Sequence, residues 1–397
     1  MLFRSFPSLD HDTLAFIPWP IADFFSAQGG SRPPTMQAAV SRNRDALRSS
    51  ILKWLAAFPA SPDAHEALSY ILETTGEIDV GPPQGSALEA IRRARALTKD
   101  SAQALRAAVA ETRLFFKLER FAEAAHLADS VLGTSSVDLG GGPIAARQLA
   151  GLALLTGRVY RAAQLLQRSA PLDTPMTWDG DPVPDAPMAV KQAELSLLAY
   201  AALGGPADSL RVGKRRVDER VSGWAGAASR ERLRLAVLHV PMGLAFETIG
   251  ISDVHRRDAG GDYVLEMQYN LAHGDTIAVR RELQRQAALR TRARSGDVAI
   301  NGTYEEARAL LQLHDTAAAV VTLDRSLHAL PTLGSYLLEQ PEQVGCAIRA
   351  MALRAELAAR SGDGATASQW ARAVATIWSN ADAPLRATTA RMRALFH

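Results

Sequence analysis

Apolar and polar residues follow one another along most of the chain with the period of an α-helix. From Met36 onward, apolar positions recur every three or four residues in segments of about 12 to 18 residues. Gly, Pro, Asp or Ser separates these segments, as at helix ends. No run alternates every second residue for long enough to predict a strand. The pattern therefore predicts an all-α fold built from antiparallel helical hairpins.

The beginning of the chain and one internal region depart from this pattern. Pro18 and Pro20 interrupt the first apolar run, and Gln28–Pro34 is rich in Gly, Ser and Pro. We therefore predict an irregular N-terminal arm and linker over residues 1–35, followed by a helical repeat domain over 36–397. Within that domain Pro241 breaks an apolar run, so residues 205–262 are predicted to form a degenerate hairpin.

Small and aliphatic residues recur at matching offsets around a series of turns. Turns at Gly76, Glu119, Gly157 and Gly204 lie 43, 38 and 47 residues apart. The clearest copies of the pattern are Ala108–Val131, Ala146–Ser169, Thr303–Pro331 and Ala355–Val374, and weaker copies occur at Leu68–Ala94, Ala193–Ala207 and Tyr263–Gln286. Such internal similarity is typical of a repeat protein.

These copies, which span Ser61 to Val374, resemble the tetratricopeptide repeat. The resemblance implies a right-handed α-solenoid of about seven antiparallel helical hairpins, whose first helices line a concave groove that binds a protein or peptide. The sequence departs from the family at the first aromatic position, which Ala108, Ala146 and Thr303 occupy. The turn spacing also exceeds the family's repeat of about 34 residues, so we expect longer loops between the repeats and a less regular superhelix.

A narrower resemblance rests on two short segments. Leu14–Trp19 and Ile377–Asp382 are similar to the repeat-bearing C-terminal regions of bacterial serine/threonine kinases and transcriptional regulators. This resemblance implies that an effector domain precedes Met1. The chain itself has no Gly-rich phosphate loop before a lysine strand, no His-Arg-Asp and no Asp-Phe-Gly.

Composition limits the choice of compartment and partner. Forty-four Lys and Arg against 42 Asp and Glu leave a net charge of +2, so no global attraction to nucleic acid is implied. The single cysteine, Cys346, excludes an internal disulfide and a four-cysteine metal site. The longest apolar runs are about half of what a membrane span requires, and the N-terminus lacks a secretory signal. We expect a cytoplasmic protein or a fragment of a larger one, whose oligomeric state is open.

Motifs for catalysis are absent from the sequence. Gly140–Pro143 and Val212–Lys214 lack the spacing of a phosphate-binding loop. The nine histidines form no zinc-binding pattern, and no Gly-x-Ser-x-Gly elbow occurs. We therefore predict a non-catalytic protein without a cofactor or bound metal.

The predicted partner-binding residues lie mainly on the helix Ser101–Leu118. Arg106, Arg113 and Lys117 share one of its faces, because they are spaced i, i+7 and i+11. Phe115 and Phe116 are adjacent, so one should pack inward while the other reaches the groove. Five residues are thus predicted to bind an acidic or C-terminal carboxylate segment of a protein: Tyr70, Arg106, Arg113, Phe116 and Lys117.

Two other functions are compatible with the sequence. A small-molecule sensor would require residues 205–262 to form a cavity rather than a packed hairpin. An RNA-binding repeat protein would use the arginines between Arg280 and Arg294, where Glu282 is the only acidic residue. This segment contains no aromatic residue for base stacking, which disfavours nucleic acid.

Overall fold

The computed structural model describes residues 34–80, 85–134, 142–168, 177–178, 181–182, 201, 203–222, 263–292, 300–332, 337–338 and 341–396. Contacts divide the chain into two compact units. The first comprises Met1–Arg120, Arg285–Val298 and Ala329–Ser335, and the second Phe121–Gln284, Ala299–His328 and Tyr336–His397. The prediction of an all-helical chain is confirmed, since the described residues form helices and turns apart from one short ribbon.

The first unit is a series of sequential helices. They are α1 (Pro34–Ala57), α2 (Pro62–Thr74), α3 (Ala87–Leu97) and α4 (Ser101–Lys117). Each packs against the next, and a 3-10 turn at Leu330–Thr332 packs against α4. Short polar residues start three of these helices: Ser61, Ser86 and Asp100 each accept a hydrogen bond from a backbone N–H in the first turn.

Helix α4 is buried on almost every side. Its interior residues include Leu114 and Phe116, both fully buried, and polar residues such as Thr112. Burial of a Leu or Phe side chain contributes about 1.5–3 kcal/mol each. A helix that is enclosed all round belongs to the core of its unit rather than to a solvent-exposed surface.

The second unit contains most of the remaining helices. They are α5 (Phe121–Thr134), α6 (Gly142–Leu155), α7 (Val159–Arg168), α8 (Ala207–Ser222), α9 (Tyr263–Ala272), the first part of α10 (Thr276–Arg292), α11 (Ile300–Gln312), α12 (Thr316–His328), α13 (Pro341–Ser361), α14 (Gly364–Ile377) and α15 (Arg386–Ala394). A two-residue antiparallel ribbon pairs Thr177–Trp178 with Asp181–Pro182. A 3-10 turn at Ala383–Leu385 precedes α15.

The four predicted turns and three others share one backbone conformation. A residue with positive φ follows the first helix at Gly76, Glu119, Gly157, Gly274, His314 and Gly362, and Gly204 has positive φ as well. At the first six of these turns the next backbone N–H donates to a carbonyl five residues earlier, over 2.8–2.9 Å. This is the Schellman arrangement, which satisfies free carbonyls at the end of a helix. A single turn geometry therefore recurs along the chain.

The residue after the turn begins the second helix in three hairpins of the second unit. Asp275, Asp315 and Asp363 each accept a hydrogen bond from a backbone N–H three residues later. Arg158 occupies this position before α7 and has no side-chain oxygen to act as a cap. The carboxylate of Asp382 accepts from the Tyr160 N–H instead, at 3.0 Å.

The last hairpin of the second unit contacts helices that are distant in sequence. Helix α13 packs against α6 as well as α11, and α14 packs against α5. A side chain at Gly151 would collide with the backbone of Leu338, so this glycine permits the close approach. Repeats of an open solenoid contact only their neighbours in sequence. The contact between α6 and α13, which are distant in sequence, is therefore not one that a simple open solenoid makes. The count of seven hairpins stays a prediction.

Two predicted regions lie partly outside the described residues. Residues 1–33, most of the predicted N-terminal arm, lie outside the described residues. In the predicted degenerate region 205–262, helix α8 is described and residues 223–262 are not. None of the helices among the described residues is long and apolar enough to span a membrane.

Candidate functional site

The predicted basic residues of α4 do lie on one face of the helix, and that face meets α2. Gln103, Arg106 and Arg113 contact residues of α2 that lie 40 positions earlier in the chain. We call the facing side chains Asp63, Glu66, Tyr70 and Glu73 of α2 and Gln103, Arg106, Arg113 and Lys117 of α4 the α2–α4 seam. The seam is the candidate site whose geometry tests the sequence prediction.

The inner end of the seam is a buried ion-pair triad. Arg113 donates to both carboxylate oxygens of Glu73, from Nε at 2.9 Å and from Nη2 at 2.7 Å. Lys117 Nζ donates to Glu73 Oε1 at 2.7 Å. The side chains of Glu73 and Lys117 are each 1% exposed and that of Arg113 is 9% exposed. Burial alone would raise the pKa of Glu73, but Arg113 and Lys117 outweigh it and lower the pKa to about 2.

The outer end of the seam is looser and more accessible. Gln103 Nε2 donates to Asp63 Oδ1 at 2.6 Å, and Arg106 Nε donates to Glu66 Oε1 at 3.4 Å. Burial raises the pKa of Glu66, and Arg106 only partly offsets this effect. Tyr70 is half-buried on the same helix as Glu66. The seam thus grades from a partly hydrated end to a dehydrated one.

The predicted outward position of three residues is wrong. Arg113, Phe116 and Lys117 are buried, because α4 is enclosed within the first unit and Glu73 provides the two cations with a counter-charge. Phe115 is buried too, so neither phenylalanine reaches an open groove. Of the five predicted residues, Tyr70 and Arg106 keep partial exposure.

The charges of the seam balance. Asp63, Glu66 and Glu73 face the three cations Arg106, Arg113 and Lys117. An acidic partner would have to displace Glu73 from two buried hydrogen-bonded cations, and breaking a buried pair of this kind is strongly unfavourable. Chemically, the seam is suited to fix the register of α2 against α4.

The acidic partners in α2 were not identified from the sequence, although a signal was present. Asp63, Glu66 and Glu73 precede Gln103, Arg106 and Arg113 by a constant 40 residues, close to the spacing of the turns. Acidic and basic residues at equivalent positions of successive repeats indicate pairing between their first helices. A second example is Gln268, which donates to Glu305 of the next first helix 37 residues later, at 2.9 Å.

The second unit contains its own buried polar cluster around α11. Glu305 also accepts from Arg308 at 3.1 Å, and both side chains are largely buried. The guanidinium of Arg349 lies over the Tyr304 ring, 4.7 Å from its centroid, and donates to the Ala201 carbonyl. These contacts join α11 to α13. The cluster differs from the seam, because its ion pair between Glu305 and Arg308 lies within α11, while a hydrogen bond from Gln268 and a cation–π contact from Arg349 link the packed helices.

Features for metal or small-molecule binding are sparse in the described ranges. No group of His, Cys, Asp and Glu side chains among the described residues could hold a metal ion. An open depression of about 450 Å³ runs along α1, lined by Asp45, Arg48, Ser49, Leu52, Lys53 and Ala56. The cavity that a small-molecule sensor would need in residues 205–262 falls mainly on positions 223–262, outside the described residues.

The arginine cluster of the RNA-binding alternative lies on α10. Arg280, Arg281 and Arg285 are exposed on this helix. The side chains of Arg290 and Arg292, and all of Arg294, lie outside the described residues. In contrast to the seam, part of this cluster is open to solvent.

Comparison with known proteins gives no further guidance. No protein-family model matches the chain, and no curated protein matches it either.

Proposed function

We propose that the chain is a non-catalytic interaction scaffold that binds a protein or peptide partner on the exposed faces of its helical hairpins. The observation that supports the proposal is the recurring hairpin, with the same Schellman turn at six positions. Proteins built from such units characteristically present extended binding surfaces. The wider tetratricopeptide-like array of about seven hairpins, and a cytoplasmic location, are parts of the same proposal.

We assign the binding surface to the second helices of the hairpins, and not to a groove lined by the first helices. The first helices α4, α6, α11 and α13 are mostly buried. The second helices α10, α12 and α14 each have exposed residues on one face. Residues that do not pack can recognise a partner without a loss of stability.

Copurification from the native host tests the proposal. The tagged full chain is recovered after nuclease treatment, and each recovered protein is then purified separately and titrated against the chain by calorimetry. We expect at least one protein to bind directly and saturably. The proposal is wrong if no recovered protein binds in the purified system.

RNA binding is the second candidate, because exposed arginines on α10 favour an anionic ligand. The same purification without nuclease separates the two functions. Recovered RNA whose removal leaves no bound protein would favour this candidate.

A further inference from the structure

The first part of α10, Thr276–Gln284, belongs to the second unit and packs there through two buried residues. Val279 and Leu283 pack into a hydrophobic cluster with Met267 of α9 and with Ala309 and Leu313 at the end of α11. These two residues are the only buried ones described on the helix. The other residues between Thr276 and Gln284 are exposed or half-buried.

The exposed side of α10 has one face that combines charge with apolar surface. Arg280 and Arg281 each lie three or four residues from both Ile277 and Gln284, so the four residues share one side of the helix, and all are exposed. We call these four residues the α10 face. Ile277 is 72% exposed, a large value for an isoleucine.

The positive charge of the α10 face is only partly used in contacts within the protein. Five arginines and one glutamate occur in α10. Arg280 donates to the Leu313 carbonyl at 3.3 Å, which accounts for part of its role. The side chain of Arg281 makes no hydrogen bond or ion pair in the part of the chain that the structure describes. It also lies four residues before Arg285, a like-charge spacing that destabilises a helix by about 0.2–0.5 kcal/mol.

The chemistry of the face favours protein over nucleic acid. Ile277 precedes Arg281 by one helical turn, so an apolar group and a cation are adjacent. An exposed isoleucine gains from an apolar partner side chain and gains little from a phosphate backbone. The helix contains no aromatic residue on which bases could stack.

From these features we infer that the α10 face binds an acidic amphipathic segment of a partner protein. Carboxylates of the segment pair with Arg281 and Arg280, and an apolar side chain covers Ile277. This inference rests on the proposed scaffold function and names the class of partner and the surface.

Fluorescence anisotropy with defined probes tests the inference on the full chain. The first probe is a peptide of about 18 residues, five helical turns, with glutamates on one side and leucines on the other. The second replaces its leucines by serine, and the third is a uridine RNA of similar length. Each is titrated at about 50 and 200 mM salt to separate charge from apolar contact.

We expect the acidic amphipathic peptide to bind best and Arg281→Glu to weaken it by about tenfold or more. Arg281→Lys should retain most of the affinity, and Ile277→Ser should weaken the leucine peptide but leave the serine peptide unchanged. The matched control is Arg93→Glu, which reverses an exposed arginine on α3. Circular dichroism melting confirms that each variant is folded.

Three outcomes would overturn the inference. They are no binding of the acidic peptide by the wild-type chain, equal loss for Arg93→Glu and Arg281→Glu, and tighter binding of the RNA than of the peptide. A partner that binds the purified chain with undiminished affinity after Arg281→Glu would refute the surface while leaving the scaffold function intact.

Discussion

The carboxylate of Asp382 caps α7 by accepting a hydrogen bond from the N–H of Tyr160, 222 residues earlier in the chain. The Asp382 N–H in turn donates to the Gly157 carbonyl at 3.1 Å. The C-terminal segment thus supplies the cap that Arg158 cannot provide. Asp382→Ala should destabilise the second unit by about 0.5–2 kcal/mol, and Asp382→Asn should cost less because it keeps an acceptor.

Hydrogen exchange measured by peptide mapping locates this effect. Asp382→Ala should accelerate exchange at the start of α7, whereas Asp363→Ala, which removes the local cap of α14, should accelerate exchange in α14. Faster exchange confined to the C-terminal segment in the Asp382 variant would show that the remote cap is unimportant.

Removal of the buried carboxylate at position 73 should be costly. Glu73→Gln removes the carboxylate that pairs with the buried Arg113 and Lys117, and breaking a buried ion pair typically costs about 3–5 kcal/mol. The matched control is Glu111→Gln. Glu111 is similarly buried, but its partners Arg92 and Arg95 keep 47% and 42% of their side chains exposed and can be hydrated. This change should cost less than about 1 kcal/mol. Equal shifts in the denaturant midpoints of both variants would contradict the triad's role.

Acid should weaken the first unit within a defined pH window. The pKa of Glu73 falls from an ordinary 4.5 to about 2 on folding. Its stabilising contribution is therefore complete above the unfolded value and is lost as the pH decreases from 4.5 toward 2. The raised pKa of Glu66 acts in the opposite direction, since protonation relieves the cost of its burial as the pH falls.

Melting temperatures of the wild type and Glu73→Gln, recorded between neutral and acidic pH, check this prediction. The difference between the two proteins should be constant at neutral pH and shrink below about pH 4.5. A difference that disappears already near neutral pH would contradict the assignment.

Glycine introduced at two turns that lack it, at positions 119 and 314, should stabilise the protein. Glu119 and His314 have φ values of 57° and 59° and exposed side chains. The left-handed conformation costs a non-glycine residue about 1–2 kcal/mol, and the greater freedom of glycine in the unfolded chain offsets part of the gain. Glu119→Gly and His314→Gly should each stabilise the protein by about 0.5–1 kcal/mol.

Gly274→Ala and Gly362→Ala are the reverse controls. A Cβ at either glycine meets no atom within 4 Å, so their loss of stability reports the backbone conformation alone. Chemical denaturation of all four variants should give opposite signs for the two pairs.

Much of the local fold could be predicted from sequence, whereas side-chain exposure could not. Helical spacing correctly places Arg106, Arg113 and Lys117 on one face, and the small or flexible residues at Gly76, Gly157 and Gly362 mark turns. Spacing shows which residues share a face but not what covers it. Glu73 covers Arg113 and Lys117 through a contact between helices 40 or more residues apart, and only pairing across the repeat period could reveal that.

For a similar reason, the repeat pattern could not predict which distant hairpins pack against each other. The offsets of small residues predict hairpins, and two of these small residues, Ala162 and Ala319, are fully buried. The contact of Gly151 with Leu338, however, depends on which hairpins meet. No local pattern in the sequence encodes that choice.

Hydrogen exchange of the full chain with and without the acidic amphipathic peptide tests the central claim most directly, because it compares the α10 face with the α2–α4 seam in one experiment. We expect the bound peptide to slow exchange in α10, over Thr276–Arg292, and to leave α4 unchanged over Ser101–Lys117. Slower exchange in α4 with no change in α10 would contradict the claim that the seam holds the fold together while the α10 face binds the partner.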